Sequence, residues 1–224
     1  MTNIKQNSWK NHEIAGLLIV YLTLVINAVV FQDNIIAVLS AFFGITYTIL
    51  AGKGYPVCYI FGVSGSGLYS WLSFTQAFWG NLVLYLLYYI PMQILGFFKW
   101  NKNLKKNKNE IVKTNLNKNE FIKILIITSI ISLFTILVLY YIHDKNPIID
   151  GITTVFSLAG MYLTVRRCIE QWQIWMLVNG LSAIMWIDAA IGGAKVYSTV
   201  TMWIIYFILS IYFYFDWKKE LAKN

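Results

Sequence analysis

The chain has 224 residues, of which 58% are hydrophobic, 17% aromatic and only 12% charged. A soluble domain carries about a quarter charged residues, so a disordered chain, a disulfide scaffold and most soluble enzymes are excluded and an integral membrane protein is indicated. The net charge of +8 reads as basic loops on one membrane face rather than a nucleic-acid surface, because the lysines lie between apolar spans.

Eight spans are predicted, at 14–31, 34–52, 55–74, 81–98, 121–142, 147–165, 171–190 and 196–215. Each approaches the ~20 residues that cross a ~30 Å hydrocarbon core, and lipid obliges such runs to be helical. No small-x-small cleavage signal follows the first span, so no cleavable leader is expected. Between Lys53 and Lys99 lie 45 residues without a formal charge, which matches two crossings and a turn. Within them, GVSGSG at Gly62–Gly67 lacks the lysine of a phosphate loop and reads as small residues that let helices approach closely. Span four, NLVLYLLYYIPMQILGFFKW, sets Tyr85, Tyr89, Gln93, Gly96 and Trp100 on one helical stripe. Pro91 removes an N–H donor there and is expected to kink the helix.

The segment 99–120 is rich in Lys and Asn and reads as a solvated topology determinant between two halves, with attraction to anionic headgroups as the functional alternative. Span seven, EQWQIWMLVNGLSAIMWI, repeats the striped pattern with Trp172, Trp175, Asn179, Ser182 and Trp186. An interfacial aromatic belt accounts for Trp172, and an interhelical hydrogen bond is the alternative role of Asn179. Trp175, Gln93 and Asn179 are expected within one layer, about 6, 8 and 13 Å from the same helix ends. Two amides and an aromatic wall suit a neutral or cationic ligand with hydroxyl groups.

Of 18 Lys and Arg residues, 16 fall on one side of this topology and only Lys145 and Lys195 on the other. The positive-inside rule then makes both termini cytoplasmic. Cysteine labels at Asp33, Ala77, Lys145 and Gly192 are expected to be reached from outside. Cys58 and Cys168 are expected to be reduced, neither a bridge nor a metal pair. His12 and His143 have no partners at metal or triad spacing, so neither a metal site nor an intramembrane enzyme is expected, and no cofactor. Asp150, Glu170 and Asp188 lie near span ends and no acid lies at mid-membrane, which favours passive movement over ion coupling.

The chain also echoes itself. SGLYSW aligns with LSAIMW at an offset of 115, pairing Trp71 with Trp186; nearer the ends, Tyr89, Phe98 and Trp100 align with Tyr206, Phe215 and Trp217 at 117. The resulting division is an N-terminal segment with an extra helix (1–33), a three-helix repeat (34–98), the basic loop (99–120), a linker helix (121–142), a second three-helix repeat (147–217) and a tail (218–224). The odd linker makes the repeats parallel, an arrangement of transporters with a site between the halves. The fold class expected is thus all-α integral membrane.

The pattern AGKGYP…GVSGSGLYSW…YYIPMQILGFFKW…LTVRRCIEQWQIWMLVN resembles the PnuC family of nicotinamide riboside transporters, from about Phe42 onward. Departures at Gly54-Tyr55-Pro56 and Gly80-Asn81 bear on loops. The resemblance implies a duplicated three-helix fold akin to the SWEET sugar transporters, often trimeric, in the bacterial inner membrane. It further implies facilitated diffusion with the substrate trapped inside by a phosphorylating kinase. It makes Trp172, Trp175, Asn179 and Gln93 candidate contacts of nicotinamide riboside, and Tyr89, on the stripe of Gln93, is a further candidate. Relatives carry thiamine or other vitamins, which leaves thiamine as the alternative substrate. A channel or membrane scaffold subunit is the alternative of another class; a channel would show polar stripes along several whole helices.

Overall fold

The computed structural model describes residues 11–75, 79–106, 109–144 and 146–223. Lys5, Lys10, Ala77, Gly80, Lys108 and Lys145 fall outside what is described, wholly or in their side chains, as does the side chain of His12. The described chain is helical apart from two isolated bridges, Leu104 with Ile111 and Thr114 with Cys168. In order it forms α1 (Asn11–Val30), α2 (Ile35–Lys53), α3 (Cys58–Thr75) and α4 (Trp79–Leu84). A π turn (Tyr85–Tyr89) joins α4 to α5 (Ile90–Asn101), followed by α6 (Lys118–Tyr141), α7 (Pro147–Val165), α8 (Gln171–Ile191) and α9 (Tyr197–Leu221). Among the described residues seven stretches are long and apolar enough to cross a membrane, with Asn81–Asn101 counted as one. The 18-residue α3, diluted by four serines and three glycines, is not among them.

Local chemistry sets the helix ends. Asn34 caps α2 by accepting from the Ile36 N–H at 2.8 Å, and Gly54 stops it with φ +79°. Asn117 caps α6, and Pro147 opens α7, where a missing N–H costs nothing. Asp33 accepts from the Ser198 N–H at 2.7 Å and so caps α9. It is only 9% exposed, which corrects its expected use as a labelling position; Gly192, expected alike, is exposed, as is Gln32 beside Asp33. Pro91 acts one turn upstream of its own position. The Ile90 N–H reaches back five residues to Tyr85, so the distortion is a π turn, which gives the proline ring room beside the preceding carbonyls.

The helices pack as two groups that cross over. α3 lies against α2 and the α4–α5 stretch, while α8 lies against α7 and α9. Across the groups, α2 packs on α9 and α7 packs on α5. α1 leans on α2 and α9, with Glu13 paired to the buried Lys53 at 2.6 Å and bonded by the Tyr212 hydroxyl at 2.7 Å. The small residues of α3 do bring helices together. A Cβ at Gly65 would lie 3.2 Å from the Gly44 backbone, and one at Gly62 would lie 2.8 Å from Tyr47. Gly67 has no such neighbour within 4 Å. Cys58 and Cys168 are buried free thiols.

The basic loop is the main departure from expectation. It is folded onto the bundle rather than solvated. The Ile111 N–H bonds Gly54 O at 3.0 Å, the Thr114 N–H bonds Arg167 O at 3.0 Å, and the Ile169 N–H bonds Thr114 O at 2.9 Å. Ile111 is fully buried, and Glu110, Lys113 and Leu116 are nearly so. Lys113 donates to Glu220 at 2.6 Å and sits 4.9 Å from the Trp217 ring, and Lys105 pairs with the same carboxylate. Burial pushes the Lys113 ammonium below its ordinary pKa despite Glu220. For Lys105 burial works in the same direction, but Glu220 and Glu110 outweigh it and raise its pKa. The physical reason is that the segment meets three helix ends at once, through Gly54 after α2, Arg167 after α7 and Glu220 on α9.

Candidate functional site

A cavity lies between α2, α3, the π turn and α5 on one side and α7, α8 and α9 on the other. All five residues singled out in sequence, Trp172, Trp175, Asn179, Gln93 and Tyr89, line it. The outer parts of their stripes do not: Ser182, Trp186, Gly96 and Trp100 are absent from the wall. Among the described residues no Asp, Glu, Lys, Arg or His lines the cavity. Among the described residues no group of three or more His, Cys, Asp and Glu is placed to hold a metal.

Each wall residue is held from behind. The Trp175 indole N–H donates to Thr164 Oγ1 at 3.0 Å, and that hydroxyl donates to Gly160 O at 2.8 Å. A Cβ at Gly160 would come within 3.0 Å of the Trp175 ring, so glycine is what lets the indole approach α7 this closely. The Tyr89 ring meets Trp175 edge-on at 6.4 Å and 74°. Trp172, only 3% exposed, stacks at 5.4 Å on Phe213 and edge-on at 5.6 Å on Trp217, so it is a buried wall residue and not an interfacial belt residue.

Both amides line the cavity, each bonded to a serine of a neighbouring helix. Asn179 Nδ2 donates to Ser210 Oγ at 2.8 Å, and Gln93 Nε2 donates to Ser66 Oγ at 3.0 Å. The interhelical hydrogen bond and the cavity position of Asn179 therefore coexist, because an amide has two donor hydrogens and an acceptor. α5 runs to Asn101, not to 98, so Gln93 lies ~12 Å from its helix end, level with Asn179. The π turn brings Tyr85 and Tyr89 to the same wall, with ring centroids 4.5 Å apart, and Tyr69 packs on Tyr85 at 4.4 Å.

Sequence reasoning missed Tyr47, Thr48, Tyr69, Thr164, Trp203, Tyr206 and Ser210, all in the wall. The repeat held part of the signal, since Tyr206 and Ser210 stand 117 residues after Tyr89 and Gln93. On α2 the cavity residues Ser40, Gly44, Tyr47 and Ala51 fall on one helical face, a small and polar stripe in an apolar span. The two offsets differ in quality. At 117, Trp100 and Trp217 are both fully buried, whereas at 115 Trp71 is 54% exposed and Trp186 fully buried.

The family model described as "Nicotinamide mononucleotide transporter" matches residues 34–219. The chain is 30% identical to the nicotinamide riboside transporter PnuC of Neisseria mucosa, over 96% of this chain and 84% of the relative. It is 25% identical to the PnuC of Haemophilus influenzae, over 97% of this chain and 94% of the relative. A crystal structure of the vitamin B3 transporter PnuC superposes with a TM-score of 0.86 at 27% identity, covering 97% of this chain and 95% of that one. With a matching family model over most of its length and the fold of a solved member, this chain belongs to the PnuC family of membrane transporters.

Proposed function

We propose that the protein carries nicotinamide riboside across the bacterial inner membrane by facilitated diffusion, with both termini in the cytoplasm. The observation that carries this reading is the uncharged cavity walled by Trp172, Trp175, Tyr89 and the amides of Gln93 and Asn179. A pyridinium ring is a delocalised cation, which aromatic faces attract without a counter-charge. Ribose hydroxyls match amides that both donate and accept. A phosphate would enter a site with no Lys or Arg to meet it, at the cost of a buried unpaired charge. The mononucleotide is therefore the poorer ligand, and phosphorylation by a cytoplasmic kinase traps the riboside inside.

The transport cycle in this reading is alternating access between two parallel three-helix units, α2 to α5 and α7 to α9, with α6 as linker, α1 outside the repeat and eight crossings in all. The crossed packing of α2 on α9 and of α7 on α5 supports it, as does the cavity between them. Titration calorimetry of the purified protein with nicotinamide riboside, thiamine, nicotinamide and the mononucleotide tests the substrate. The riboside should bind at least tenfold more tightly than the other three. Tighter binding of thiamine would reassign the substrate, and tight binding of the mononucleotide would refute the argument from the uncharged wall.

A further inference from the structure

Two tryptophans outside the cavity do the same thing at the end of the bundle that carries the basic loop. The Trp100 indole N–H, at the end of α5, donates to Thr164 O on α7 at 3.0 Å. The Trp217 indole N–H, near the end of α9, donates to Gly52 O on α2 at 2.7 Å. Both side chains are fully buried, and each bond crosses from the last helix of one half to the first helix of the other. Each is joined to a wall residue. Thr164 holds Trp100 by its carbonyl and the cavity-lining Trp175 by its hydroxyl. Trp217 packs edge-on against the cavity-lining Trp172.

Indole N–H bonds to main-chain carbonyls are single, directional contacts that are lost outright when two helices part, and a buried donor left behind is costly. We propose that Trp100 and Trp217 form a paired latch closing the cytoplasmic end, and that Thr164 is the positioning residue that ties this latch to the ligand-facing Trp175. A ligand ring packed on Trp175 holds the indole on Thr164, and through the same residue holds the carbonyl that Trp100 grips. Occupancy thus keeps the inner end shut until the rest of the bundle rearranges. The coupling rests on the substrate reading above; the latch itself does not.

Cys58 supplies the probe. It is fully buried and packs in one cluster with Trp100, Trp217, Trp172 and Ile111. In a Cys168→Ser background, its alkylation by a thiol reagent at the cytoplasmic face reads opening of that cluster. Without ligand, Trp100→Phe and Trp217→Phe should each raise the alkylation rate at least fivefold, while nicotinamide riboside affinity changes less than threefold because neither ring lines the cavity. Unchanged alkylation in both variants would overturn the latch. In the parent, saturating nicotinamide riboside should slow alkylation at least threefold. Thr164→Val, a wall residue whose loss weakens binding, should abolish that ligand dependence even at riboside concentrations that saturate the variant by calorimetry, and Thr164→Ser, which keeps the hydroxyl, should retain it. Equal slowing in Thr164→Val and the parent, or no slowing in the parent, would overturn the coupling. Failure of the parent to bind the riboside by calorimetry would sink the substrate reading and the coupling while leaving the ligand-free latch result to stand or fall alone.

Discussion

Single side chains at the cavity act with a partner behind them, and that decides which substitutions are informative. Trp175→Ala removes a cation–π face of about 1–2 kcal/mol and its apolar contact. Asn179→Ala or Gln93→Ala removes a proposed ligand partner and leaves Ser210 or Ser66 without its amide, about 1–3 kcal/mol. Each should weaken nicotinamide riboside binding roughly tenfold or more in calorimetry. If Trp175→Ala and Asn179→Ala both bind like the parent while eluting as folded protein, the pocket lies elsewhere. Gly160→Ala is the subtler test. Its Cβ would crowd the Trp175 ring at 3.0 Å, so the indole must retreat from α7 and into the cavity. A strain of about 1 kcal/mol predicts a roughly fivefold loss of affinity with the fold intact; an unchanged affinity would mean that the ligand does not meet this face of Trp175.

At the scale of elements, hydropathy found the helices because a lipid-spanning run must be long, apolar and hydrogen-bonded within itself. It did not find their ends. α5 and α9 extend past the apolar runs to Asn101 and Leu221, where charged side chains reach out of the hydrocarbon layer. It also missed the docked loop, since Ile111, Leu116 and Glu110 are scattered among lysines and asparagines and carry no period. The five wall residues were legible because two amides on aromatic stripes are costly inside an apolar span unless they have work to do. Tyr47 and Tyr206 were not, because a tyrosine in a membrane helix is unremarkable until its neighbours are known. The docked loop makes its own prediction. Lys113 has 1% of its side chain exposed and depends on Glu220, so Glu220→Gln leaves a buried ammonium unpaired. Thermal unfolding in detergent should show a loss of about 3 kcal/mol, with faster trypsin cleavage between α5 and α6. Lys113→Met with Glu220→Gln should recover at least half of it, since the charge is then gone as well as its partner. Equal stability of the single and double variants would show that the pair does not hold the loop.

For the whole molecule the decisive feature is where charge is absent. The ion pairs Glu13–Lys53, Lys113–Glu220 and Arg166–Glu120 gather around the ends of α2, α7 and α9, and among the described residues the cavity wall carries no carboxylate, imidazole, ammonium or guanidinium. A coupling proton or sodium ion needs a site whose occupancy changes the energy of the states that exchange access, and a differential interaction is the only way a ligand shifts such an equilibrium. The proposed cationic substrate would have such an interaction with the aromatic wall; a proton finds no carboxylate or imidazole among the described wall residues. Uptake into liposomes that contain the protein but no kinase should therefore rise until inside and outside concentrations are equal and then stop, with the same plateau whether a proton or sodium gradient is imposed. Enclosing a riboside kinase and its nucleotide should convert that plateau into continuing uptake, because the phosphorylated product finds no cationic partner in the cavity for its return. Gradient-driven accumulation above the outside concentration in the kinase-free vesicles would show that backbone carbonyls or tyrosine hydroxyls of this wall bind a coupling ion after all, and the cycle would have to be rewritten as symport.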